Sequence, residues 1–258
     1  MSDDTARIHD EDVIRPTMAL MHLLDLTLPT LAENLALDEA LLSTAEEDHG
    51  GEVLRFWQWQ KYAVVLGASG IIAADVHLDA CQSENVPIAR RSSGGGTVLL
   101  GPGCMLFTLV LDQSRAVELQ QITSSYRWIL GRVADALSPV QDRIELAGTS
   151  DLAVLGRKLS GNAQQRKRRY ILHHGTLLHR FDLQRISRFL KLPPRRPEYR
   201  GERDHTEFLT NLPDRPDAIR EYLRICFDAR VPLVHWPEEA VAKLVEEKYE
   251  RPEWNRRR

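Results

Sequence analysis

The chain of 258 residues carries 34 Lys and Arg against 37 Asp and Glu, a formal net charge of −3, and 43% of its residues are hydrophobic. Such a composition is typical of a globular protein with one large domain, or one domain and a small appendage. No basic excess points to nucleic acid, and no apolar run reaches the roughly 20 residues that span a bilayer. Three scattered cysteines without a CxxC pair exclude a disulfide or metal framework and fit a reducing compartment.

The two ends of the chain differ in character from the middle. Residues 1–17 are polar and acid-rich, unlike a signal or transit peptide, so we predict a disordered tail and a cytoplasmic protein. One large catalytic domain is expected over residues 18–235, followed by a C-terminal helix and basic tail over residues 236–258.

The hydrophobic pattern predicts strands and helices joined by short turns. Thr30 and Glu33 stand in the positions of a capping box, which predicts a helix over residues 31–45. In chain order the other predicted elements are strands over 18–28, 52–59 and 62–67, a helix over 72–85, strands from 86, over 97–100 and over 105–111, a helix over 116–137, strands over 143–146, 151–155, 157–163 and 170–179, an extended loop over 192–197, and helices over 217–227 and 238–248. This order lacks regular βαβ alternation and therefore predicts an α+β fold.

The segment Arg91-Ser-Ser-Gly-Gly-Gly96 lies between two predicted strands and is the first candidate site. Successive glycines let a backbone approach a ligand closely, and their N–H groups can form a nest for anionic oxygens. Arg91 would add charge and Ser93 a hydroxyl. The alternative is a flexible connecting turn, since the glycine spacings of a P-loop and of a dinucleotide fold are both missing here.

A second candidate runs from Asp151 to Gln164, where Lys158 stands in an alternating strand among small residues and amides. A lysine held there can stabilise negative charge on a carboxylate and a phosphate during adenylation, although most lysines are simply solvated. The third candidate is the pair His173 and His174. Neighbouring strand residues point to opposite faces, so at most one histidine faces the site, and zinc is rejected because no third ligand has a suitable spacing.

Together these motifs resemble the lipoate–protein ligases, within the larger superfamily of biotin and lipoate ligases. The resemblance covers about residues 30–180 and rests on motifs that follow the family's order, namely Asn34-Leu-Ala-Leu-Asp-Glu39, Val65-Leu-Gly67, Ala89-Arg-Arg-Ser-Ser-Gly-Gly-Gly96, Gly156-Arg-Lys158, Ser160-Gly-Asn-Ala163 and His173-His-Gly-Thr-Leu-Leu178. It implies a mixed, mostly antiparallel sheet flanked by helices, like that of class II aminoacyl-tRNA synthetases and biotin ligases.

The resemblance also implies an activity. Such an enzyme forms an acyl adenylate from ATP and lipoate or octanoate, then transfers the acyl group to a lysine of a lipoyl carrier domain or a glycine cleavage H-like protein. Lys158 would be the catalytic residue. The residues implied to bind substrate or adenylate are Arg91, Ser93, Gly94, Gly95, Gly96, Asp151, Ser160, Gly161, Asn162, Ala163, His174, Gly175 and Thr176. ATP and Mg²⁺ are the implied cofactors, with Mg²⁺ bound together with ATP rather than by the protein alone.

Three features depart from the family's pattern. Leu100-Gly101 stands where many ligases have a His-Asp pair, and Gly67-Ala-Ser-Gly70 lacks a common Gln-Asn. The usual C-terminal accessory domain is expected to be missing, which predicts slow adenylation and a separate accessory protein as a further partner. Nucleic acid and membranes are not expected partners.

The nearest alternative is a cysteine-dependent octanoyl- or lipoyltransferase of the same superfamily, which needs a thiolate. The stretches where such enzymes place their cysteine, residues 147–150 and 170–173, contain none, and Cys104 is interpreted as a core residue. A non-adenylating lipoyl-binding protein with the same fold is another alternative. The basic run Arg166-Lys-Arg-Arg169 is interpreted as a solvated turn or a docking patch for acidic lipoyl domains.

Overall fold

The computed structural model describes residues 20–258. The predicted disordered tail over residues 1–17 and the first residues of the strand predicted from residue 18 lie outside the described residues. None of the helices in the described part of the chain is both long and apolar enough to cross a membrane.

Two sheets organise the described residues. The strands are β1 (Met21–Asp25), β2 (Val53–Gln58), β3 (Ala63–Leu66), β4 (Ile88–Arg90), β5 (Val98–Leu100), β6 (Cys104–Asp112), β7 (Ile144–Ala147), β8 (Asp151–Val154), β9 (Arg157–Arg166), β10 (Tyr170–Leu178) and β11 (Ala229–Pro232). The large sheet has the order β11-β1-β2-β6-β10-β9-β8-β7, and the small sheet has the order β4-β3-β5. In the large sheet β1 pairs in parallel with β11 and β2, and the other five pairs are antiparallel.

Helices flank the sheets, which confirms the predicted α+β fold. They are α1 (Leu31–Glu46), α2 (Ile72–Asp75), α3 (Leu78–Ser83), α4 (Ile122–Leu137), α5 (Leu183–Phe189), α6 (His205–Phe208), α7 (Pro216–Cys226), α8 (Glu238–Leu244) and α9 (Pro252–Asn255). The capping box at the start of α1 is confirmed, because the Thr30 hydroxyl accepts from the Glu33 N–H at 3.1 Å and the Glu33 carboxylate accepts from the Thr30 N–H at 2.7 Å. Loss of such a cap typically costs about 1 kcal/mol.

Tertiary pairing breaks one predicted helix in two. The sequence predicts a continuous helix over residues 72–85, whereas the structure has α2 and α3 with Val76 between them in an isolated bridge to Leu190. The His77 N–H donates to the Phe189 carbonyl at 2.9 Å, so backbone groups that a continuous helix would use are bonded to another part of the chain. Likewise the helix predicted from residue 116 begins only at Ile122, after a short 3-10 turn.

The large sheet separates two apolar cores. Ile171 and Leu172 are neighbours in β10 but belong to different cores, as alternation along a strand requires. One core contains α1 and the small sheet, and we call that side the α1 face. The other contains α4 and α7, and we call it the α4 face. Burial of one large apolar side chain contributes about 1.5–3 kcal/mol, so both faces stabilise the same sheet.

The end of the chain packs against the small sheet and α1. The Arg90 guanidinium donates to the carbonyl oxygens of Gly67, Gly70 and Trp254. The Trp254 indole N–H donates back to the Arg90 carbonyl at 2.8 Å. Arg90 directly precedes the glycine-rich segment and therefore links that segment to the C-terminal residues.

Candidate active site

The glycine loop, residues 91–96, leaves β4 and lies against the α1 face of β9. A Cβ built on Gly95 would lie 3.6 Å from Cβ of Ala163, and Gly95 has a φ of +86°, which L side chains rarely adopt. On the other side, a Cβ built on Gly67 would overlap the Gly95 carbonyl oxygen. Two glycines therefore permit the close approach of this loop to its neighbours.

Arg91 is buried beneath this loop, with 8% of its surface exposed. Its Nε donates to Ser93 Oγ at 2.9 Å, and its terminal nitrogens donate to the carbonyls of Val65, Gly94 and Gly96. Burial lowers the pKa of Arg91 to about 10, so the side chain stays charged at neutral pH. No Asp or Glu of the described chain forms an ion pair with it. This buried charge without a counter-ion favours an anionic ligand above the loop.

Lys158 and Asp151 form an ion pair with 2.8 Å between Nζ and Oδ1, with 26% and 11% of their side chains exposed. Regular alternation would put Lys158 and Gly161 on opposite faces of β9. A bulge where β8 pairs with β9 removes that conflict, because a Cβ built on Gly161 would lie 2.9 Å from Lys158 Nζ. Because of the bulge, the Lys158 side chain lies directly over Gly161, which has no side chain to block it.

Several predicted site residues form a continuous row on the α1 face of the large sheet. Asp151 pairs with Gly161, and Ala163 pairs with His174, so all four face the same side. Thr176 lies on this side too, with its hydroxyl 3.4 Å from the Gly161 nitrogen. The glycine loop lies against this row at Ala163. The structure therefore brings the three candidate segments together at one site.

Three predicted site residues turn to the α4 face instead. Ser160 pairs with Leu152, whose side chain lies in the α4-face core. Asn162 donates to Ser160 Oγ at 3.0 Å, and a Cβ on Gly175 would overlap the Asn162 side-chain oxygen. The Ser160 and Asn162 side chains bond to each other, and Asn162 packs on Gly175, so any contact of these three residues with a ligand in the row would have to come from their backbone.

His174 connects the sheet to the glycine loop. Its Nε2 lies 2.6 Å from Ser93 Oγ, and its Nδ1 lies 2.9 Å from Asp38 Oδ2. His173 occupies the α4 face between Phe107 and Tyr126, as the predicted alternation requires, and burial lowers its pKa to about 3. Only His174 therefore contacts the glycine loop.

Sequence reasoning did not assign roles to two further residues, Asp38 and Tyr199. Asp38 accepts from Arg55 at 2.6 Å and from Thr108 at 3.0 Å. Burial alone would raise the pKa of Asp38, but the Arg55 charge and the His174 hydrogen bond outweigh it and hold the pKa below its usual value. In the sequence, a carboxylate among the apolar residues of α1 was a signal that Asp38 has a buried polar role. Tyr199 donates to Asp151 Oδ2 at 2.8 Å, and its Pro-rich surroundings gave no signal.

No three His, Cys, Asp or Glu side chains of residues 20–258 stand together in a way that could hold a metal ion. The site therefore consists of two cations, Arg91 and Lys158, the exposed backbone of the glycine loop, and two supporting carboxylates, Asp38 and Asp151.

Similarity to known proteins agrees with this geometry. The fold and site are those of a catalytic domain, and the family that matches residues 30–219 is the lipoyl protein ligase A/B catalytic domain. The chain belongs to this family. The resemblance found in the sequence is thereby confirmed.

Two solved structures share the fold. One is a bipartite lipoate protein ligase of Thermoplasma acidophilum, described with its E2 lipoyl domain; it is 24% identical, has a TM-score of 0.78, and the match covers 92% of this chain and 96% of that one. The other is a lipoate-protein ligase A bound with ATP; it is 25% identical, has a TM-score of 0.75, and the match covers 92% and 98%.

The relatives in sequence carry two kinds of name. Octanoyltransferase LipM of Carboxydothermus hydrogenoformans is 29% identical over 177 residues, which are 62% of this chain and 65% of that protein. A Mycoplasma pneumoniae protein named as a lipoate-protein ligase A is 27% identical over 190 residues, which are 74% and 52%. The chain thus matches about half to two thirds of the length of these curated relatives.

Proposed function

We propose that this chain is an ATP-dependent lipoate–protein ligase. It activates lipoate or octanoate as an acyl adenylate and transfers the acyl group to a lysine of a lipoyl carrier domain. The observation that carries this proposal is the placement of two cations beside one row of the sheet. Arg91 is buried under the open glycine loop, which lies against Ala163, and Lys158 lies partly exposed above Gly161. A carboxylate and a phosphate that react together need positive charge at both places.

In the first step a carboxylate oxygen of the acid bonds to the α-phosphorus of ATP, and the bond from that phosphorus to pyrophosphate breaks. The N–H groups of Gly94–Gly96 would receive phosphate oxygens, since a Cβ at Gly94 or Gly96 meets no atom within 4 Å and the loop is open there. Arg91 would supply positive charge from beneath the loop. Mg²⁺, bound together with ATP, would neutralise charge on the leaving pyrophosphate. The protein contributes positioning and charge, without a covalent step of its own.

In the second step the neutral amine of a carrier lysine attacks the acyl carbonyl carbon, AMP leaves with the bonding electrons, and the nitrogen loses one proton as the amide forms. Lys158 would stabilise the oxyanion on the carbonyl and the charge on the departing phosphate. Asp151 holds Lys158 in place, and Tyr199 holds Asp151. The same lysine therefore serves both steps.

The cysteines of the described chain support adenylation over a thioester mechanism. Cys104 is 1% exposed, and burial raises its pKa to about 12, so it is a neutral core thiol near pH 7. Burial also raises the pKa of Cys81 and of Cys226. Cys226 donates to the Arg132 carbonyl of α4, on the side of the sheet away from Lys158. None of the three is an activated nucleophile in the row.

The second candidate function is acyl transfer from a carrier-protein thioester, as in an octanoyltransferase. The names of several relatives, including the LipM protein above, favour it. That chemistry needs a thiolate at the site, and the cysteine positions described above argue against it.

The carrier is proposed to be a lipoyl domain or an H-like protein. One of the similar structures is described with an E2 lipoyl domain, which supports this class of partner. Lys167, Arg168 and Arg169 at the β9–β10 turn are exposed, and Arg169 also pairs with Asp48 and Asp112. Arg166 is held by Gln113 and the Leu119 carbonyl. Three of the four basic side chains are therefore exposed to an acidic carrier.

The test offers a lipoyl domain to the purified chain with either ATP and lipoate, ATP and octanoate, or an octanoyl carrier-protein thioester without ATP. Intact mass of the lipoyl domain and pyrophosphate release are followed. We expect acylation only with ATP, accompanied by pyrophosphate release. Acylation from the thioester without ATP, and none with ATP, would overturn the proposal in favour of the transferase.

A further inference from the structure

An acid of α1 reaches a serine of the glycine loop through a histidine of the sheet. Asp38 is connected to Ser93 through His174 of β10. These three side chains come from segments far apart in sequence. The connection ends on the loop that carries Arg91.

The connection runs through both ring nitrogens of His174. Asp38 is an ionised acceptor, so His174 donates to it from Nδ1. The other ring nitrogen, Nε2, forms a hydrogen bond of 2.6 Å with the Ser93 hydroxyl. The Ser93 oxygen in turn accepts from Arg91 Nε at 2.9 Å. The chain of bonds from Asp38 therefore sets the orientation of the Arg91 guanidinium.

The C-terminal segment fixes α1 at the neighbouring acid. The Tyr249 hydroxyl donates to Glu39 Oε2 at 2.6 Å, and 3% of Tyr249 is exposed. Lys248 Nζ lies 2.8 Å from both oxygens of Glu39 and compensates its charge. The helix that carries Asp38 is thus also held from the side of the C-terminal segment.

We infer that Asp38 is a positioning residue, which acts through His174 to hold the glycine loop in its adenylate-binding conformation. A loop with three successive glycines has much backbone freedom, and ordering it upon binding would weaken affinity. A tether that orders the loop beforehand lowers that cost. The role in adenylate binding rests on the proposed function, whereas the tethering of the loop exists without a ligand and is testable separately.

The experiment is a double-mutant cycle in the full chain. The variants are His174→Phe, Ser93→Ala and the two substitutions together. Two quantities are measured for each, the amide hydrogen exchange rate of residues 92–96 without ligand and the affinity for an acyl-sulfamoyl adenosine, a stable mimic of the acyl adenylate. His173→Phe is the matched control, because His173 is the neighbouring buried histidine on the opposite face.

We expect His174→Phe to speed loop exchange and to weaken affinity about two- to tenfold, the range of one hydrogen bond. This effect should vanish in the Ser93→Ala background, because the two side chains form one bond. The control should leave both quantities unchanged.

Additive effects of the two substitutions, or unchanged loop exchange in folded variants, would overturn the inference. Should His174→Phe not fold, His174→Gln keeps a donor and an acceptor and replaces it in the same cycle. If the wild-type chain does not bind the adenylate mimic while exchange shows the expected coupling, the proposed function fails and the tether stands.

Discussion

At the scale of single residues, Lys158 is the group on which the proposed chemistry depends. Most lysines extend into solvent, but this one is held by Asp151 at 2.8 Å and lies over a glycine. Such a fixed cation stabilises charge in a transition state without having to reorganise.

Replacement of this cation tests both steps at once. Lys158→Ala should slow transfer from supplied lipoyl-AMP as well as from lipoate and ATP, by roughly a hundred- to a thousandfold, the usual effect of losing one oriented donor. The measurement is the rate of mass increase of the lipoyl domain with each substrate. Transfer from lipoyl-AMP at the wild-type rate would contradict the role assigned to Lys158.

A second residue-scale prediction concerns the close contact beneath the glycine loop. Gly67→Ala should destabilise the fold by about 1–3 kcal/mol, because the new Cβ would overlap the Gly95 carbonyl and force a backbone shift. Gly94→Ala is the matched control, since its Cβ would meet no atom within 4 Å. Urea denaturation midpoints compare the two. Equal stabilities would show that the loop is not packed on Gly67.

At the scale of secondary-structure elements, a buried ion pair links α1 to β2. Arg55 is fully buried and donates to Asp38, to the Asn34 carbonyl and to the Asn34 side chain. Removal of one partner from such a pair leaves an unpaired buried charge. The helix that carries the acids and the strand beside it are therefore held in register by polar groups inside an apolar core.

Asp38→Asn should cost about 3–5 kcal/mol of folding stability. The folded-state pKa of Asp38 lies below its ordinary value of 3.8, so its contribution is present above that pH and is lost as the pH falls through the folded pKa. The stability difference between wild type and variant should therefore shrink on acidification below about pH 4. Urea denaturation at pH 7 and at pH 3 measures it. A difference that stays constant between these pH values would contradict the ionised state of Asp38.

The segment between α5 and α6 belongs to this scale as well, because it supplies Tyr199 to the site. Tyr199→Phe keeps the ring against Phe208 but removes the hydrogen bond to Asp151. Transfer should slow about tenfold, less than in Lys158→Ala, because a hydrogen bond to a charged group is worth about 1.5 kcal/mol or more. Tyr222→Phe on α7 is the control. An unchanged rate in Tyr199→Phe would show that Asp151 needs no support.

At the scale of the whole molecule, the two candidate functions differ in their substrates. A ligase uses ATP and a free acid, whereas a transferase uses a carrier-protein thioester. The triple variant Cys81→Ala, Cys104→Ala and Cys226→Ser should keep ATP-dependent acyl transfer within a few fold, because none of the three thiols lies in the row. Loss of transfer in a triple variant that retains its circular dichroism spectrum would favour a thioester mechanism.

Much of the fold followed from local pattern. The capping box at Thr30 and Glu33 marked the start of α1, and the Leu155-Gly156 turn between β8 and β9 is present with φ of +49° and +71°. The helix predicted over residues 72–85 was wrong, because pairing of Val76 with Leu190 interrupts it. Local propensity carries no information about such distant partners.

The sequence by itself determined the family, the α+β class and the identity of the two cations, because glycine spacing, strand alternation and residue type are local properties. Only the tertiary structure decided which predicted residues share a face. Lys158 joins Gly161 through a bulge, Ser160 and Asn162 turn to the α4 face, and Asp38 reaches the loop through His174. Register, bulges and buried hydrogen bonds depend on the packing of the whole chain, since a shift of one residue exchanges the faces of a strand.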